Sequence, residues 1–210
     1  MSLESKRMEL EELRSRVRQL EAELDAAAKR PPAGEWQAGG YYTAYHATTG
    51  FILGGFAAMS SLLLNVIGSL LFEKQPLELI RVYLTFPMGE QALDYNVVDN
   101  GLILAIGCCL YIGTGMLYGM LFEIVLTRFT TESSMATRFV VVSLLALAVW
   151  LVNFYGILSW LQPLLFGGQW ILDRIPWWVA AVTHLVFGWT MLLIYPLGRY
   201  TPYRLETENS

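Results

Sequence analysis

Residues 101–122 read GLILAIGCCLYIGTGMLYGMLF. The run contains no Asp, Glu, Lys or Arg, and at ~1.5 Å per residue a helix of this length crosses the ~30 Å hydrocarbon layer of a bilayer. Three more runs share the property, Tyr45 to Phe72, Phe139 to Leu172 and Ile175 to Gly198, and each is rich in Leu, Ile, Val, Phe and Gly. Hydrophobic residues make up 55% of the 210 positions and charged residues 15%. That is more apolar surface than one small water-soluble core can hide. The sequence therefore predicts an all-α, polytopic membrane protein with a four-transmembrane-helix bundle over 45–198. The expected spans are about 45–72, 101–126, 139–161 and 177–197.

The third boundary needs a choice, because the uncharged stretch from Phe139 to Leu172 exceeds one crossing. Gln162-Pro163 and Gly167-Gly168 are helix breakers, so span three is expected to end near Leu161. The residues from Pro163 to Trp178 are then expected in the outer interface or dipping shallowly back into it. A tight polar turn from Thr127 to Thr137 joins spans two and three. Between spans one and two, Pro76 opens a segment that reads as a short interfacial helix.

Ahead of the spans, Leu3, Leu10, Val17 and Leu24 recur at one core position of a seven-residue period, and Lys6, Leu13, Leu20 and Ala27 at the other. Residues 1–30 are thus expected to form a soluble coiled-coil helix with its seam at Leu10, Leu13, Val17, Leu20 and Leu24. In a parallel homo-oligomer Glu9 would face Arg14 of a second copy and Arg16 would face Glu21, both attractive. A single solvated helix, or one packed on another subunit, is the plainer alternative. Residues 31–44 read as a linker that Pro31, Pro32, Gly39 and Gly40 keep from being helical, ending in an interfacial aromatic group, Trp36, Tyr41, Tyr42 and Tyr45. Residues 199–210 form a polar C-terminal tail, and no cleavable leader is expected in the charged first 40 residues.

Lys29, Arg30, Arg128, Arg138, Arg199 and Arg204 flank one side of the spans, against Lys74, Arg81 and Arg174 on the other. Cations concentrate on the cytoplasmic side, so both termini are expected there, in a bacterial inner membrane. The net charge of −4 and the lack of a basic stripe point away from nucleic acid. Membrane lipids, further copies of the chain and other membrane subunits are the expected partners.

Few polar residues lie within the spans. Counting ~1.5 Å per residue from the span ends places Asn65, Asn153 and His184 about 10 to 12 Å below the outer surface, with Tyr111 near that depth. They are a candidate cluster for a haem, a quinone headgroup or a proton relay. The plainer reading is polar glue between helices. His46 and Glu123 form a second candidate pair at the inner interface. The two histidines fall about 15 to 25 Å apart, which excludes one haem held between them. Gly50, Gly54 and Ala58 mark one face of span one, Gly115 and Gly119 a face of span two, and Gly188 a face of span four. All are spaced for close helix approach. Cys108 and Cys109 read as two small buried thiols with no metal-ligand spacing.

No phosphate loop, zinc-protease helix or nucleophile elbow is present, and Glu123 is the one carboxylate expected within a span. The best fit is a non-catalytic scaffold or accessory subunit of a larger, possibly respiratory, membrane complex. A redox protein centred on His184 and a small homo-oligomeric channel are the alternatives.

Overall fold

The computed structural model describes residues 3–29, 42–71, 74–94 and 101–199, with side chains in 3–29 described only for 9–23. All regular structure among them is helical. α1 (Leu3–Lys29) belongs to one compact unit, and everything from α2 onward to another, Tyr41–Tyr200.

α1 is a 27-residue helix. Ser15 donates to the Glu12 carbonyl and Gln19 to Glu23 one turn on, local bonds typical of a solvated helix surface. Leu10, Leu13, Val17 and Leu20 are all about half exposed. Leu24 of the expected seam, the linker to residue 41 and the tail from residue 200 lie outside the described residues or side chains.

Among the described residues the second unit holds four helices long and apolar enough to cross a membrane. The first is α2 (Thr43–Leu71). A short α3 (Glu78–Met88) runs into a 3-10 turn over Gly89–Leu93. α4 (Gly101–Phe129) is the second span. The third combines α5 (Met135–Leu151), a π-helical turn over Val152–Leu158, and α6 (Ser159–Phe166). α7 (Trp170–Arg174) precedes the fourth span, α8 (Trp177–Ile194). Leu63, Leu102, Leu117, Leu144 and Leu193 are each well exposed. Water would penalise such a surface, whereas lipid tails match it.

Two boundaries differ from expectation. The turn between spans two and three is only Thr130 to Ser134, because Ser134 caps α5 by accepting from the Thr137 amide. The third span does not end near Leu161. Pro163 removes the donor that would satisfy the Ser159 carbonyl, but Gln169 Nε2 donates to that carbonyl at 3.0 Å, so the helix continues. It stops where Gly167 takes φ +80°, a left-handed conformation suited to glycine.

α2 packs along α4 on one side and α8 on the other, while α8 packs along α5. The ring closes loosely, since α4 and α5 meet only over a short stretch. The α2–α4 seam is very close. A Cβ on Gly54 would lie 2.5 Å from the Gly115 carbonyl oxygen, and one on Gly50 would lie 2.6 Å from that of Gly119. Gly188 plays the same part where α8 meets Val142 and Ala146 of α5. The main core, including Ala57, Phe122, Leu126, Val142, Ala146 and Met191, sits between these helices.

α3 carries a buried face, Ile80, Val82, Leu84 and Thr85, against α4 and α7. Gly107 allows this, because a Cβ there would strike Ile80 and Leu84. Gln162, completely buried, ties the region together: its Nε2 donates to Thr85 Oγ1 at 2.9 Å and its Oε1 accepts from the Ile171 amide at 3.1 Å. Cys108 is partly buried, but Cys109 is exposed on the surface of α4, so the pair is not two buried thiols.

Candidate functional site

Where α4 and the third span diverge, a cavity of about 330 Å³ opens inside the helical unit, bordered by α2, α3, α4, α5 with its π turn, and α8. Its wall is mostly apolar, with Phe122, Phe154 and Phe187 among the lining rings. The π turn forms part of the wall, with Asn153, Phe154, Ile157 and Leu158 lining the same space.

Three tyrosines bring hydroxyls to the cavity, and the direction of each bond follows from its partner. Thr114 gives its hydrogen to the Leu110 carbonyl, so Tyr83 must donate to Thr114 Oγ1, at 2.5 Å. Ser61 gives its hydrogen to the Ala58 carbonyl, so Tyr111 donates to Ser61 Oγ at 2.9 Å. Tyr118 donates to Asn153 Oδ1 at 2.5 Å, which bridges the loosely packed second and third spans. Burial pushes the Tyr83 phenol above its ordinary value, the Thr114 bond offsetting part of this, so the hydroxyl keeps its proton. Tyr83 and Tyr111 also meet edge to face, with ring centroids 5.6 Å apart.

His184 lines the cavity from α8. Its Nδ1 lies 2.8 Å from the Ala180 carbonyl of its own helix, and since a carbonyl only accepts, Nδ1 carries the hydrogen. The ring edge packs on Phe154, 6.1 Å between centroids.

The four residues of the expected cluster do not form one hydrogen-bonded group. His184, Asn153 and Tyr111 line the same cavity but bond to different partners. Asn65 faces a second cavity of about 420 Å³, which Lys74, Glu78 and Arg174 also line. Its amide donates to the Ser61 carbonyl at 2.8 Å and to Thr183 Oγ1 at 3.0 Å, clipping α2 to α8. Sequence reasoning missed Tyr83, Thr114 and Tyr118. Single hydroxyls in apolar helices carry no spacing signal, and the divergence that gathers them arises from packing.

His46 and Glu123 are brought together. His46 Nδ1 lies 3.7 Å from Glu123 Oε1, and Thr127 Oγ1 donates to the same oxygen at 3.4 Å. Glu123 is completely buried, and its Oε2 has no hydrogen-bond partner among the described residues. At this end Arg138 donates to the Thr130 and Thr131 carbonyls. Arg138 and Arg199 both lie over the Tyr195 ring. Among the described residues no group of three His, Cys, Asp or Glu side chains could hold a metal ion.

In comparisons with protein-family models, with curated proteins and with solved structures, nothing matches this chain.

Proposed function

We propose that this protein is a non-catalytic membrane scaffold or accessory subunit that self-associates through α1. The observation that carries the reading is the uncovered stripe on α1, where Leu10, Leu13, Val17 and Leu20 are 49 to 58% exposed on an otherwise charged helix. A seam of this kind is covered by a partner helix in a coiled coil. The partner that fits the flanking charges is a second, parallel copy, which pairs Glu9 with Arg14 and Arg16 with Glu21. The proposed orientation places both termini on the cytoplasmic side of a bacterial inner membrane, supported by the grouping of Arg138 and Arg199 at one end of the bundle.

Two alternatives draw less support. A haem would need cations for its propionates, and no Lys or Arg among the described residues lines the central cavity. A pore would string Asn65, Asn153 and His184 along one path, whereas Asn65 lines a different cavity from the other two.

The test is native mass spectrometry of the full chain, extracted in mild detergent, beside the variant Leu13→Asp/Leu20→Asp. An oligomer that falls to monomer in the variant supports the proposal. A monomeric wild type, or an oligomer the variant leaves intact, overturns it.

A further inference from the structure

We infer that the central cavity is a binding site for a neutral lipid hydroxyl carried on an apolar body, the chemistry of a prenyl quinol or of a diacylglycerol. The inference is independent of self-association through α1.

The size and wall set the first constraint. About 330 Å³ lies within the range of small-molecule sites, and a wall dominated by aromatic and aliphatic side chains favours an apolar body. Among the described residues no Lys, Arg, Asp or Glu lines it, so a charged ligand would enter without a counter-ion, at high cost within a membrane. Ile157 lines the cavity and is also 38% exposed.

The unspent hydrogen-bonding capacity sets the second constraint. The hydrogens of Tyr83, Tyr111 and Tyr118 are all committed to protein acceptors, as are those of Ser61 and Thr114. Each phenolic oxygen keeps acceptor capacity. With Nδ1 carrying the hydrogen, the neutral His184 ring presents a lone pair at Nε2, and His184 makes no second hydrogen bond among the described residues. Among the described residues Asn153 uses only its oxygen, for Tyr118, which leaves its amide hydrogens to donate. The cavity therefore offers several acceptors and one donor group. A hydroxyl satisfies both sides, giving its hydrogen to His184 and accepting from Asn153. A carbonyl headgroup can only accept, so it meets the Asn153 amide and leaves the acceptors unanswered.

Asn153 and Phe154 belong to the π turn and line the cavity together with His184 of α8. π turns of this kind occur frequently at functional sites.

The experiment uses the full-length protein in lipid nanodiscs and follows quenching of its tryptophan fluorescence on titration. The probes are a short-chain prenyl quinol, the corresponding quinone, and dioctanoylglycerol. Saturable binding of the quinol or of dioctanoylglycerol, at least ten-fold tighter than the quinone, is expected, and which of the two binds identifies the lipid source. His184→Phe and Asn153→Ala should each weaken that binding about ten-fold, as the loss of one hydrogen bond in an apolar site implies. Thermal unfolding of each variant without ligand shows that the fold is intact. Should either variant misfold, native mass spectrometry of wild type stripped and reloaded with each probe reads the same preference. Failure of wild type to bind either hydroxyl probe, quinone binding as tight as quinol, affinity unchanged in both folded variants, or a haem absorption band in the purified protein would each overturn the inference.

Discussion

Glu123 and His46 meet at 3.7 Å on adjoining faces of α4 and α2, with the carboxylate completely enclosed and one of its oxygens lacking any hydrogen-bond partner among the described residues. Its surroundings are crowded as well as dry. An added Cβ at Gly50 would run into the Glu123 side chain at 2.5 Å, and one at Gly198 would strike Thr49 at 2.5 Å and lie 3.3 Å from Glu123 Oε1.

Shape and one acceptor therefore matter more at this position than formal charge. Glu123→Gln keeps Oε1 for Thr127 and His46 and is expected to change stability by under ~1 kcal/mol, since interhelical hydrogen bonds in membranes average about 0.6 kcal/mol. Glu123→Ala leaves a void and is expected to cost about 2–4 kcal/mol. Unfolding of both variants in mixed micelles by titrated SDS separates the two effects, and equal losses would show that the charge itself holds the site.

The α2–α4 seam should tolerate nothing larger than glycine at its centre. Gly54→Ala puts a methyl 2.5 Å from a backbone oxygen that cannot rotate away, so the helices must separate along the seam. A loss of at least ~3 kcal/mol or failure to fold is expected. Gly113→Ala is the control, because nothing lies within 4 Å of its added Cβ. It should be neutral or stabilising by about 0.5–1 kcal/mol through helix propensity. Melting temperatures of the two purified variants give the comparison.

Gln162 links α3, α6 and α7 through Thr85 and the Ile171 amide. Gln162→Leu leaves the buried Ile171 amide without its acceptor, while Thr85 keeps its own bond to the Val82 carbonyl, at a cost of about 1–3 kcal/mol. Hydrogen exchange should accelerate in residues 78–93 and 170–174 while the α2–α4 seam keeps its protection. Uniform acceleration across the spans would contradict the local role.

Arg138 donates two hydrogen bonds to the Thr130 and Thr131 carbonyls at the end of α4 and covers Tyr195. A lysine cannot reproduce the forked donor geometry. Arg138→Lys should lose about 1 kcal/mol and Arg138→Ala about 2, read as the midpoint shift in the same SDS titration. Identical behaviour of the two variants would show that packing on Tyr195, rather than the fork, is the contribution that counts.

The sequence alone determined the number and type of the long elements, because hydrocarbon admits a lone segment only when its backbone bonds are internal, and that demand is written in uninterrupted apolar runs. Small-residue spacing likewise marked Gly50, Gly54, Gly115 and Gly119, since a glycine face reports how closely backbones can approach. Tertiary structure decided what composition does not encode. Gln169, ten residues from Ser159, rescues the carbonyl that Pro163 abandons, so a break expected at Leu161 becomes a helix that runs to Phe166. The central cavity belongs to the same class. It exists because α2 holds α4 and α8 tightly while α4 and α5 part, which leaves Asn153 of the π turn and His184 of α8 lining one space. Each polar side chain there is an ordinary residue in its own helix, and only the divergence of two helices makes them neighbours.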